Sequence, residues 1–190
     1  LLALLWRPRA KPVLVQFVAL SVGVLALLTG PLAPGTLVFL WPFLLVIAAY
    51  PAPRALLDVS RQEPLSRPLL ALTLLAALLL APYAWRSLLW QLGGVGGEHA
   101  ALFHWIESVV ISIVLVLAGV LAAMKRPGWQ ALGIIAGLAF IYLGAVALQV
   151  PYHDGSWGIA GGLLATLGGC GFIAATVWEA RRTSAARLHN

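Results

Sequence analysis

"EHAALFHWIESVVISIVLVLAGVLAAMKRPG", residues 98–128, decides the fold. From Val109 to Met124 it holds no charge and no proline, and it stops at Lys125-Arg126-Pro127-Gly128. A helix of ~20 apolar residues, rising ~1.5 Å each, covers the ~30 Å hydrocarbon core of a bilayer. The run is continuous rather than alternating, so it is not the half-lipid, half-lumen pattern of a membrane β-strand. The spacing predicts a helix that spans a membrane and ends at a basic surface cluster.

The rest of the chain agrees. Of its 190 residues 62% are hydrophobic and only 9% charged; the mean hydropathy is +0.97. A soluble domain carries about 25% charged residues, and no water-facing fold of this length hides so much apolar surface. Five further apolar segments flank the first: about 12–29, 35–50, 67–91, 128–149 and 156–179, with the quoted stretch itself spanning about 98–124. The expected architecture is a single all-α domain, a polytopic integral membrane bundle of about six transmembrane helices, with the lipid bilayer as its solvent. The second segment is the shortest and contains Pro42. The opening "LLALLWRPRAK" resembles the inner end of a further span, so the chain reads as part of something longer.

Charge placement tests the count. Six spans with both ends cytoplasmic put Arg7, Arg9, Lys11, Arg54, Arg61, Arg67, Lys125, Arg126, Arg181, Arg182 and Arg187 on one side, eleven of the twelve basic residues. That is the asymmetry of a multi-pass protein with a positive inner face. The preference for Arg over Lys and the Ala/Leu/Gly-rich usage suit a bacterial plasma membrane. The net charge of +6 is therefore topogenic. No basic run interleaves with aromatics, and the glycine-rich "LGGVGGEH" joins two spans, so neither nucleic acid nor nucleotide is an expected partner. Glycines four apart, Gly133/Gly137 and Gly158/Gly162, let backbones approach closely. They are expected to pack spans five and six, or to join copies into a homo-oligomer or larger membrane complex.

The exception is Arg86, and it belongs to a polar group near the outer surface: Arg86, Glu98, His99, His104, Glu107, His153 and Asp154. The cytoplasmic half offers nothing comparable. On a helix that starts at Glu98, Glu107 lies roughly 13 Å along the axis. An ionised carboxylate there costs ~2.5–3.5 kcal/mol unless paired or protonated, so Glu107 is expected to face the bundle and to bridge to Arg86. His104, Glu107, Ser108 and Ser112 then form an inward polar stripe. His99 stands about 140° from His104 on the same continuous helix, which makes those two a poor ligand pair.

If the loop between spans five and six folds over the outer end of span four, Arg86, His104, Glu107, His153 and Asp154 share one pocket. His104, Glu107 and His153 would then form a metal shell for zinc, manganese or iron, with Glu98, His99 and Asp154 as further ligands. The same groups suit a proton relay. Haem is a weaker fit, because most spans hold no histidine to serve as an axial ligand. The expected function is a membrane binding or accessory protein that uses this pocket for a metal ion or protons. The alternatives are a small metal-dependent membrane enzyme, and a transporter or structural subunit. No nucleophile elbow or phosphate loop supports catalysis, and Cys170 alone completes no metal site.

Overall fold

The computed structural model describes residues 12–30, 34–51 and 64–188. Expectations for the opening eleven residues, and for most of the loop after Pro51, lie outside the described residues. The described chain is helical: α1 (Pro12–Thr29), a 3-10 helix (Pro34–Leu40), α2 (Trp41–Ala48), α3 (Arg67–Leu92), α4 (Glu98–Ala101), α5 (His104–Ala123), α6 (Trp129–Gln149) and α7 (Gly158–Leu188). Five of these, α1, α3, α5, α6 and α7, are long and apolar enough to cross a bilayer. Leu27, Leu78, Leu138 and Leu167 are exposed on four different helices. An apolar surface that extensive is covered by lipid in a stable protein, and the chain is a multi-pass helical membrane bundle.

The quoted stretch supplies the central helix. α5 packs against α1, α3 and α6, and Val109, Ser112, Leu115, Ala118, Gly119 and Ala122 line its buried side. Gly119 sits where α5 crosses α3 and α7: a Cβ there would run into Thr73 and the ring of Phe172. α6 and α7 form the most extensive helix pair, antiparallel and joined through small residues. Gly133 meets Thr176, Gly137 meets Ile173 and the Gly169 carbonyl, and Gly144 meets Thr166 and the Gly162 carbonyl. The Thr166 and Thr176 hydroxyls donate back to carbonyls of their own helix, those of Gly162 and Phe172, at 2.9 and 2.7 Å. Close van der Waals packing, not interhelical hydrogen bonding, holds this pair.

The second expected span differs. Residues 34–48 form a seven-residue 3-10 helix followed by an eight-residue α-helix, rather than one long helix. Pro34 starts the first element. Pro42, which has no N–H to give to the preceding turn, falls in the first turn of the second. The segment runs back along α1, which both pieces contact. It begins beside the end of α1, with Leu37 against Gly30. It ends at Tyr50, which is buried and close enough to Arg126 to feel its charge. Arg126 in turn donates to Gln16 in the first turns of α1. At ~2.0 Å per 3-10 residue and ~1.5 Å per α residue the two pieces cover ~26 Å, nearly the bilayer core. The described chain thus has five helices long and apolar enough to cross a bilayer, and this shorter segment returns it along α1.

One end gathers the described cytoplasmic-type residues. The Ser66 N–H donates to the Ala123 carbonyl at 2.9 Å, tying the start of α3 to the end of α5. Arg126 is 5% exposed and its guanidinium donates to Gln16 Oε1 at 2.5 Å. Lys125 pairs with Glu179 of α7, both side chains 10% exposed. The expectation that this half lacks a polar cluster is therefore corrected. Its charges had been read as loop residues, but Lys125 adopts a left-handed backbone (φ 52°) that turns the chain sharply after α5. That turn folds Lys125 and Arg126 back under the bundle.

Candidate functional site

The opposite end carries the histidines. α4 and α5 are separate helices, because Phe103 between them takes a left-handed conformation (φ 61°, ψ 21°). This break moves every expectation built on one helix from Glu98. His99 and His104 no longer diverge: their Nδ1 atoms lie 3.1 Å apart. At that distance one ring donates its N–H and the other accepts. His153, on the loop between α6 and α7, brings its ring edge-on to His99, centroids 5.8 Å apart. The loop does fold over the start of α5. A Cβ on Gly155 would stand 2.9 Å from the Trp105 ring, and Tyr83 donates to the Gly155 carbonyl at 2.6 Å. Trp105 is buried, donates Nε1–H to the Val95 carbonyl at 2.8 Å and packs edge-on against Trp90.

The inward stripe divides. Ser112 is buried and Ser108, half-buried, lies 3.3 Å from the Tyr83 hydroxyl. His104 and Glu107 are exposed. With α5 starting at His104, Glu107 falls in the first helical turn, where the helix dipole favours a carboxylate without a cation. The Arg86–Glu107 bridge is corrected accordingly: among the described residues no carboxylate lies within 4 Å of Arg86. Its guanidinium instead sits 4.8 Å from the Trp90 ring centroid and 5.8 Å from that of Tyr83. These are its helix neighbours four residues on and three back, and both rings attract a cation. The proposed metal ligands His104, Glu107 and His153 do not assemble, and among the described residues no three His, Cys, Asp or Glu side chains form a metal shell. Glu98 and Asp154 are exposed, with no cationic side chain within 4 Å among the described residues.

What the structure adds is a cleft. α3 and α7 diverge and leave a cavity of about 460 Å³ between them, with Phe140 and Phe172 on its wall. It follows α3 from Leu72 to Arg86, ~21 Å at the helical rise. Leu75, Leu79, Leu164 and Leu167 along its rims are exposed, so it opens sideways toward lipid. Small residues on both walls, Ala76, Gly161, Ala165 and Gly168, make the room. At the histidine end its lining turns polar: Tyr83, Arg86 and Ser156, beside Trp157. Of the expected site residues only Arg86 lines this cleft. Tyr83 was missed, although it lies one helical turn before Arg86 and so had to share its face. Ser156 and Trp157 read as a helix cap and an interfacial aromatic, which they also are: Ser156 Oγ accepts from the Gly158 N–H at 3.1 Å.

No family model matches the chain, and neither a curated protein nor a solved structure resembles it.

Proposed function

We propose that the protein is a lipid-binding membrane protein whose α3–α7 cleft takes a phospholipid side-on from the bilayer. The single observation that carries this is the cleft: apolar over most of its length, open to the membrane side, and ending at an arginine with no carboxylate partner among the described residues. Leu72, Leu79, Leu164 and Phe172 suit an acyl chain. Arg86 suits the phosphate, which guanidinium recognises through paired N–H donors. The aromatic rings under Arg86 hold it without neutralising it. By the positive-inside asymmetry the basic end faces the cytoplasm, so the phosphate site belongs to the extracytoplasmic leaflet of a plasma membrane. The binding-or-accessory expectation is kept, with a lipid in place of a metal ion.

Gly168 makes the test direct. It lines the cleft, and a Cβ there meets nothing within 4 Å. Gly168→Phe is designed to fill the cleft, and Gly23→Phe, on α1 where an added Cβ likewise meets nothing, is the control. Native mass spectrometry of delipidated protein titrated with phospholipid is expected to show one retained lipid on wild type and on Gly23→Phe, and none on Gly168→Phe. Arg86→Gln should weaken binding about tenfold, the worth of one charge-assisted hydrogen bond. Equal retention in wild type and Gly168→Phe would sink the proposal.

A second reading rests on the imidazole pair. His99 and His104, 3.1 Å apart at Nδ1 with His153 adjacent, form a proton-holding group of the kind a relay needs, or two ligands of a divalent metal completed by water. Elemental analysis of the purified protein and of His104→Ala separates these: metal at one per chain, lost in the variant, favours the metal.

A further inference from the structure

The cleft has a neighbour. A second cavity of about 230 Å³ lies under the loop between α6 and α7, lined by Ser108 of α5, Ala147 of α6, and His153 and Asp154 of the loop. The two cavities share Tyr83, Ser156 and Trp157 as a common wall. The Tyr83 hydroxyl, bonded to the Gly155 carbonyl, stands where the two linings meet. A cation, Arg86, therefore stands on one side and a carboxylate, Asp154, on the other. Neither has an oppositely charged side chain within 4 Å among the described residues. A headgroup whose only charge is its phosphate satisfies Arg86 and leaves Asp154 without a counter-charge. A headgroup bearing a phosphate and an ammonium, joined by a short linker, satisfies both.

We infer that, given the lipid reading above on which this rests, the preferred ligand is a zwitterionic aminophospholipid of the phosphoethanolamine class. Its phosphate lies at Arg86 and its primary ammonium reaches past Tyr83 to Asp154. A primary ammonium donates three hydrogen bonds, to the carboxylate and to the acceptors beside it, among them Ser108 Oγ. A quaternary ammonium donates none, so a choline headgroup is disfavoured despite the aromatic rings nearby. Asp154 is an exposed turn residue.

The experiment is a competition on delipidated wild type and Asp154→Asn. It uses phosphatidylethanolamine, phosphatidylglycerol and phosphatidylcholine with the same acyl chains, read as the ratio of retained species in native mass spectra. Wild type is expected to favour phosphatidylethanolamine over each of the others by about tenfold, one charge-assisted contact. Asp154→Asn is expected to lose that preference over phosphatidylglycerol while still retaining one lipid. Equal or better retention of phosphatidylglycerol by wild type overturns the inference, as does an unchanged preference in Asp154→Asn. Both leave the cleft's lipid binding intact. Failure of wild type to retain any of the three lipids overturns the lipid reading itself.

Discussion

Phe103 and Gly155 are the two residues whose backbones shape the histidine end. A non-glycine residue in the left-handed region costs about 1–2 kcal/mol, and at Phe103 that cost ends α4 and starts α5 anew. The consequence for Glu107 is measurable. If it were a buried partner of Arg86, its loss would cost ~3–5 kcal/mol. As a first-turn carboxylate it contributes ~0.3–1 kcal/mol. Glu107→Gln should therefore change the unfolding free energy in detergent by no more than about 1 kcal/mol, and a larger loss would restore the bridge. Gly155 has φ 83° and faces the Trp105 ring. Gly155→Ala is both strained and crowded, and should lower stability by about 1–3 kcal/mol in the same melts; a neutral result would mean that the loop does not rest on Trp105.

Among the elements, α6 and α7 depend on glycine and the basic end depends on charge. Gly144→Val puts side-chain atoms where Thr166 and the Gly162 carbonyl already sit. The pair cannot separate without uncovering Phe140 and Phe172, so a loss of several kcal/mol follows, on the order of overpacking and lost contact together. Gly168→Ala, on α7, meets nothing and should be neutral or stabilising by ~0.5–1 kcal/mol through helix propensity. Thermal unfolding of the two variants side by side checks both signs. At the other end, Lys125 and Glu179 join the turn after α5 to α7. Glu179→Gln leaves a largely buried ammonium without its carboxylate and should cost ~3–5 kcal/mol, and the charge-swapped double variant should recover part of it. Recovery of nothing would show that the two sites act independently.

For the whole molecule the decisive question is how often the chain crosses. Five long helices taken alone place the two ends of the described chain on opposite sides; a crossing by the pair of short helices at 34–48 would restore an even count. The prediction is topological. In a Cys170→Ser background, Gly35→Cys should react with an impermeant thiol reagent in intact cells, and Pro64→Cys only after permeabilisation. Tyr152→Cys, exposed beside His153, should behave like Gly35→Cys. Labelling of positions 35 and 64 from the same side would reduce the crossings to five. The polar end of the cleft and the second cavity lie at the end that carries position 152, so the same experiment assigns the leaflet proposed for the cleft.

Much of this was legible along the chain, for physical reasons that act locally. Whether a run such as Val109–Met124 enters lipid is a sum over its own residues, and so is the placement of Arg67, Lys125 and Arg126 at one end. Glycine spacing in α6 and α7 foretold close packing because a helix repeats its face every three to four residues. The site was legible only as a set of residues at one depth. Its geometry depends on where a helix starts, and the start of α5 is settled by Phe103, whose residue type does not favour the left-handed backbone it adopts. Packing of Trp105 against Trp90, and of the Gly155 loop against Trp105, fixes that start. The cleft is less legible still. It is a space left where α3 follows α5 and α7 follows α6, and empty volume between helices distant in sequence has no local signature. The sequence by itself determined a basic-ended membrane bundle and which polar residues share its far surface. Only the tertiary structure decided that Arg86 faces an apolar cleft instead of Glu107, because that choice is made by the packing of four helices at once.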